Sequence, residues 1–167
     1  MPLKILSVIG TRPEAVKMAP VVAALEDSEG IQAHVLVTAQ HRQLLDEVLG
    51  LFDITPDYDL DVMSVDQAPS DVFAQVVESI RPVLTELQPD WMLVQGDTTT
   101  VLAATLAAAY HRVLVGHVEA GLRTYDRSNP FPEELNRVLT DHAASLHFAP
   151  TENACRALLR EGISENT

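Results

Sequence analysis

One cysteine, Cys155, is too few for an internal disulfide and fits a reducing compartment. Lysine is nearly as scarce, with Lys4 and Lys17 the only two. Eleven basic residues stand against 24 acidic ones, for a formal net charge of −13. That balance argues against a surface built for nucleic acid or for anionic membranes. No apolar run approaches the ~20 residues that a membrane span requires. The N-terminus lacks a charged n-region followed by an apolar run and a cleavage site, so a cytoplasmic chain is expected. There is no P-loop, and no G-x-G-x-x-G follows the first apolar run, which argues against a bound nucleoside triphosphate or dinucleotide. The histidines show no zinc- or iron-ligand spacing and no H-E-x-x-H occurs, so neither metal nor cofactor is expected.

What is present is apolar and regularly punctuated. At 167 residues and 47% hydrophobic, the chain can bury one core and make one domain over residues 1–167. Short β-branched runs at Leu3 to Ile9, Gln32 to Val37, Trp91 to Gln95, Val113 to Val118 and Leu146 to Ala149 read as buried strands. Asp57 to Val62 alternates like a strand at a sheet edge. Between them lie helical segments from Thr11, Arg42, Ser70, Val101, Glu133 and Thr151. Thr11 with Glu14 makes a capping box, with Pro13 in the first turn. Pro20 is expected to kink its helix, and Pro82 to kink or break the long one near Ser79. Strand and helix alternating with apolar strands predict an α/β fold: a doubly wound, mainly parallel, Rossmann-like sheet with helices on both faces.

In such a sheet the carboxyl ends of the strands share one edge, where ligands bind. Four residues leave those ends or open the helices behind them: Arg12, Asp97, Glu119 and Glu133. Arg12 in a first helical turn opposes the positive end of the helix dipole. It is either an exposed arginine paired with an acid or, with the free N–H groups, an anion site. Asp97 either caps the helix that follows it or faces the crevice. Glu133 and Glu134 either serve the helix dipole or join it. Crowded, partly desolvated carboxylates take raised pKa values, so one can hold a proton while another accepts one. Gln40, His41 and Gln43 fall at the same edge. After the strand ending at Val118, about fourteen residues pass without apolar periodicity before Glu133, longer than a compact domain carries unless the loop works.

Five blocks in order, Gly10-Thr11-Arg12-Pro13-Glu14-Ala15, Thr38-Ala39-Gln40-His41, Gln95-Gly96-Asp97-Thr98, His117 to Thr124, and Pro130 to Arg137, resemble the non-hydrolysing bacterial UDP-N-acetylglucosamine 2-epimerases. That family has two Rossmann-like domains facing each other in a GT-B arrangement, with the active site between them. It interconverts UDP-N-acetylglucosamine and UDP-N-acetylmannosamine by anti elimination of UDP to a 2-acetamidoglucal, then re-addition, with no metal or redox cofactor. The resemblance implies that Arg12 and Lys17 bind substrate near the phosphates. It implies that Asp97, Glu119 and Glu133 are the catalytic carboxylates, Asp97 and Glu119 also touching substrate. Gln40, His41 and Gln43, with Glu133 close by, would form an allosteric site for a second UDP-N-acetylglucosamine. It further implies a homodimer for the two-domain enzyme. Leu114 replaces the family's usual proline. The second, C-terminal UDP-binding domain is expected to be absent from this chain, which would then be the N-terminal half. Two other readings stay open: an epimerase for another UDP-linked 2-acetamido sugar, and a non-catalytic binding or self-association module using the alanine-rich helix.

Overall fold

The computed structural model describes residues 1–38, 42–62 and 66–167, and the side chains of 42–44 lie outside that description. The chain forms β1 (Leu3–Ile9), α1 (Arg12–Glu26), β2 (Ile31–Val37), α2 (Arg42–Leu51), β3 (Tyr58–Asp59), α3 (Pro69–Leu87), β4 (Trp91–Gln95), α4 (Thr99–Tyr110), β5 (Leu114–Val118), α5 (Glu133–Ala143), β6 (Leu146–Phe148) and α6 (Glu152–Arg160). All pairings are parallel and the strand order is β3-β2-β1-β4-β5-β6.

Side chains of period two divide the core between the two faces of the sheet. Leu6 and Val8 of β1, Met92 and Val94 of β4 and Val115 of β5 pack with Ile80, Leu84 and Val101 of α3 and α4. Ile5 and Ile9 of β1, Val35 and Val37 of β2 and Leu93 of β4 pack with Ala15, Met18, Val22, Leu45 and Leu49 of α1 and α2. The strand order reverses between β1 and β4, so the loops after these strands diverge and open a crevice at the carboxyl edge.

Both internal prolines are accommodated without a break: α1 runs through Pro20 and α3 through Pro82. Each proline is exposed, as is the residue four before it, Val16 or Glu78. The carbonyl left without a helical N–H therefore belongs to an exposed residue in each case. Ala68, not Ser70, occupies the N-cap of α3, where the Asp71 carboxylate accepts the Ala68 N–H at 3.3 Å. The edge strand shrinks to Tyr58–Asp59 because Asp61 takes a left-handed φ of 45° and its N–H turns back to the Asp59 carboxylate at 3.1 Å. The alanine-rich α4 is spent inside the chain: Val101, Leu102, Ala103, Ala104, Ala107 and Ala108 are all buried. It offers no alanine face for self-association.

Candidate active site

The turn after β1 is held by a buried acid. Thr11 caps α1 and the capping box is complete. Glu14 is only 2% exposed and its Oε2 accepts the Gly10 N–H at 2.6 Å and the Thr11 N–H at 3.3 Å. Its Oε1 accepts the Thr98 hydroxyl at 3.0 Å, tying the β1 and β4 exit loops together. Burial pushes the Glu14 carboxyl up, against the lowering effect of these bonds. Gly10 also packs closely on α4: a Cβ there would lie 3.0–3.1 Å from the Thr100 side chain, which would have to give way.

Arg12 is exposed and forms no ion pair among the described residues. With Pro13, Val16, Lys17 and Val48 it lines an open cleft of about 430 Å³. The intramolecular salt bridge that would have occupied it is therefore not formed among the described residues. Lys17 instead reaches across to Glu119, with Nζ 2.6 Å from Oε2. Gln95, at the end of β4, donates to the same oxygen. Glu119 itself sits in the left-handed region, at φ 68°. Such a conformation costs a non-glycine residue about 1–3 kcal/mol and persists only where the surroundings over-determine it.

Asp97 is not the cap of α4. The Thr98 hydroxyl takes that place, accepting the Val101 N–H at 3.3 Å, and leaves the Asp97 carboxylate to the crevice. Arg137 of α5 meets it at 2.6 Å, and Asn136 donates to the Asp97 carbonyl at 2.9 Å. Burial raises the Asp97 pKa above the ordinary carboxylate value. Arg137 opposes the shift, Glu133 and Glu119 reinforce it, and Lys17 opposes it more weakly. The three expected carboxylates thus share one electrostatic environment. Glu133, partly buried, opens α5. Its neighbour Glu134 does more than serve the dipole: buried to 1%, it accepts the Thr124 and Tyr125 N–H groups at 3.0 and 2.8 Å and so staples the β5–α5 loop to its helix.

Residues that sequence reasoning left without a role complete the site. Gln95, Asn136 and Arg137 hold Glu119 and Asp97. Asn136 and Arg137 sit in the Pro130-to-Arg137 block, so the signal was there. The expected roles of Gln40 and His41 fall outside the described residues, as does the side chain of Gln43.

A family model described as UDP-N-acetylglucosamine 2-epimerase matches residues 23–167. The chain belongs to this family. It is 57% identical over 164 residues to the UDP-N-acetylglucosamine 2-epimerase of Yersinia pestis, covering 98% of the chain and 44% of that relative. The Escherichia coli K12 epimerase is 54% identical over the same coverage. The epimerase of Neisseria meningitidis, solved bound to UDP-GlcNAc, superposes with a TM-score of 0.96 at 49% identity over 98% of this chain and 44% of that one. The chain therefore spans less than half the length of these epimerases and matches their N-terminal part. Acinetobacter baumannii MurG shares the fold at a TM-score of 0.64 and 15% identity. The epimerase fold here is the Rossmann-like N-terminal half of the two-domain GT-B arrangement. Among the described residues no helix is long and apolar enough to cross a membrane.

Proposed function

We propose that this chain is the N-terminal catalytic half of a UDP-N-acetylglucosamine 2-epimerase. It would act by eliminating UDP to a 2-acetamidoglucal and adding it back after C2 is protonated from the other face. The observation that carries the reading is the convergence of Asp97, Glu119 and Glu133 on one edge, with Asp97 raised above its ordinary pKa. A proton must leave C2 and a proton must return to it, and carboxylates whose environments differ can divide that labour. Lys17 orients Glu119, and Arg12 in the open cleft meets the diphosphate. The second domain, carrying the uracil and ribose contacts, closes the crevice in the longer, homodimeric, cytoplasmic protein.

The 167 residues alone fold but do not catalyse. Elimination needs the leaving diphosphate held in a site that excludes water, and one half presents its carboxylates to solvent. Losing half of a micromolar binding energy, about 4 kcal/mol, moves affinity toward millimolar. The test is epimerisation with solvent deuterium. Joined to its second domain, the protein converts UDP-N-acetylglucosamine to its C2 epimer and takes up deuterium at C2. Turnover without deuterium there would sink the proton-transfer route. Glu119→Gln lowers kcat at least about a hundredfold. Substrate profiling on the same protein decides between this sugar and another UDP-linked 2-acetamido sugar.

A further inference from the structure

Beside the carboxylate cluster lies a second charged group that the proposed chemistry does not use. Asp141 of α5, with a side chain 0% exposed, places Oδ1 2.5 Å from His117 Nδ1. Its Oδ2 accepts the Gly121 N–H at 3.1 Å and lies 2.7 Å from an Arg123 guanidinium nitrogen. Arg123 in turn makes a two-pronged bond to Glu161, at 2.8 and 2.7 Å. The other ring nitrogen of His117, Nε2, faces the Gly96 carbonyl at 2.7 Å. Both ring nitrogens thus lie within hydrogen-bond distance of an oxygen, one on Asp141 and one on Gly96. Burial acts to raise the Asp141 carboxyl, but the bonds and charges of His117 and Arg123 outweigh it and hold the group below the ordinary value.

These contacts end at two backbone positions. Gly96, at φ 83°, is the turn from which Asp97 departs. Its carbonyl is gripped by His117 and the next one, of Asp97, by Asn136. Glu119 lies between His117 and Gly121, both bound to Asp141, while the Glu119 and Ala120 N–H groups donate to the Phe148 carbonyl at 3.1 and 3.2 Å. The left-handed Glu119 is over-determined by this arrangement.

We propose that Asp141 is a positioning residue that sets the aim of both Asp97 and Glu119, acting on the first through His117 and on the second through the anchored His117-to-Gly121 turn. A fully satisfied buried network of this kind is rigid, and a misplacement of about 1 Å can cost a hundredfold in rate. The consequence for catalysis rests on the proposed epimerase chemistry; the positional effect does not.

Three variants separate the links. In His117→Asn the amide nitrogen stands near the place of Nδ1, keeping Asp141 and releasing Gly96. In His117→Gln it reaches the place of Nε2, keeping Gly96 and releasing Asp141. Asp141→Asn weakens both. Carboxyl carbon NMR on the 167-residue chain reads Asp97 and Glu119 directly, against an environment for Asp97 of Arg137 and Glu133 from α5, Glu119 after β5 and Lys17 from α1. His117→Asn is expected to shift the Asp97 titration midpoint and leave the Glu119 signal in place. His117→Gln moves Glu119 more than Asp97, and Asp141→Asn moves both. In the longer protein each lowers kcat by about tenfold to a hundredfold while KM changes little. Folded variants with both carboxyl signals unmoved would overturn the proposal, as would an active parent whose kcat is indifferent to them. His117→Asn keeps the Asp141–Arg123 pair, so it carries the test if Asp141→Asn does not fold. A parent that shows no epimerisation refutes the functional reading and leaves the NMR result to judge the positioning.

Discussion

Two clusters of charge lie near the end of β5, both built around carboxylates and an arginine and put to opposite ends. The first joins His117, Asp141, Arg123 and Glu161, whose side chains are 1%, 0%, 1% and 23% exposed. The Arg123 guanidinium and the His117 ring meet two carboxylates there. The second joins Asp97, Glu119 and Glu133 with Lys17 and Arg137, and its ion-paired acids are 30% and 26% exposed. Three carboxylates meet two cations, and Arg137 also faces Glu134 at 3.5 Å. Burial and mutual hydrogen bonding make the first cluster a fixed object. Partial burial of Asp97 beside two further carboxylates makes the second a place where a proton has reason to reside. The partners in the first hold Asp141 and Glu161 below their ordinary values, whereas burial, reinforced by Glu133 and Glu119, holds Asp97 above its own.

Breaking the sealed cluster has the largest effect on stability. Arg123→Met keeps much of the bulk but leaves Asp141 without its guanidinium partner, and unpairing a buried ion costs about 3–5 kcal/mol. Urea unfolding measures it, and a loss below about 1 kcal/mol would mean that the cluster contributes shape and no energy. Next comes Gly121→Ala. Gly121 has φ 83°, and a Cβ there would lie 2.4 Å from the Ala154 carbonyl oxygen. Left-handed strain and overpacking together predict about 2–4 kcal/mol. The open cluster responds differently. Glu119→Gln breaks a half-exposed pair and costs the fold less than about 1 kcal/mol, although it disables the proposed chemistry. Parallel melting and turnover assays of this one variant show whether stability and activity separate as expected. Glu133→Gln is the gentlest: it removes a charge that raises Asp97, so the Asp97 titration moves down toward the ordinary value with little change in melting temperature.

Acidity separates the clusters as well. Asp141 and Glu161, lowered in the folded state, stabilise it above the ordinary carboxylate pKa of about 4. That contribution is lost as pH falls through their folded values. Glu14 and Asp97, raised in the folded state, act the other way: their contribution is full below about 4 and is lost as pH rises through their folded values. Thermal melts across pH 3 to 7 are therefore expected to show a shallower acid decline in Asp141→Asn and a weaker decline on the neutral side in Glu14→Gln.

Strand positions, the Thr11–Glu14 capping box and the edge that gathers Asp97, Glu119 and Glu133 were legible because each rests on local pattern. Apolar β-branched runs, cap residues and parallel connections leave few alternatives. What was not legible is what depends on which face a residue occupies. Pro20 read as a kink and Pro82 as a kink or break because sequence does not show that both prolines, and the residues four before them, lie on the exposed face of their helices. Asp97 read as a candidate cap, and only the turn geometry shows that its neighbour Thr98 takes that place. Asp141 sits in an amphipathic helix like any surface acid. Its burial follows from His117 and Arg123 arriving on another element 24 and 18 positions earlier, a convergence without local signature.

The position of β1 at the middle of the sheet also bears on how the protein is made. It leaves the ribosome before both of its neighbours; β2 can flank it soon afterwards, but β4 arrives far later: the Lys4 N–H is matched by the Asp90 carboxylate 86 residues on. At a synthesis rate of 5–20 residues per second, that edge of the nascent chain waits roughly 4–17 s for its cover. A translational pause between β2 and β4 prolongs the exposure of Ile5, Leu6 and Val8, so slowed codons in that interval are expected to raise aggregation more than the same codons placed after β5.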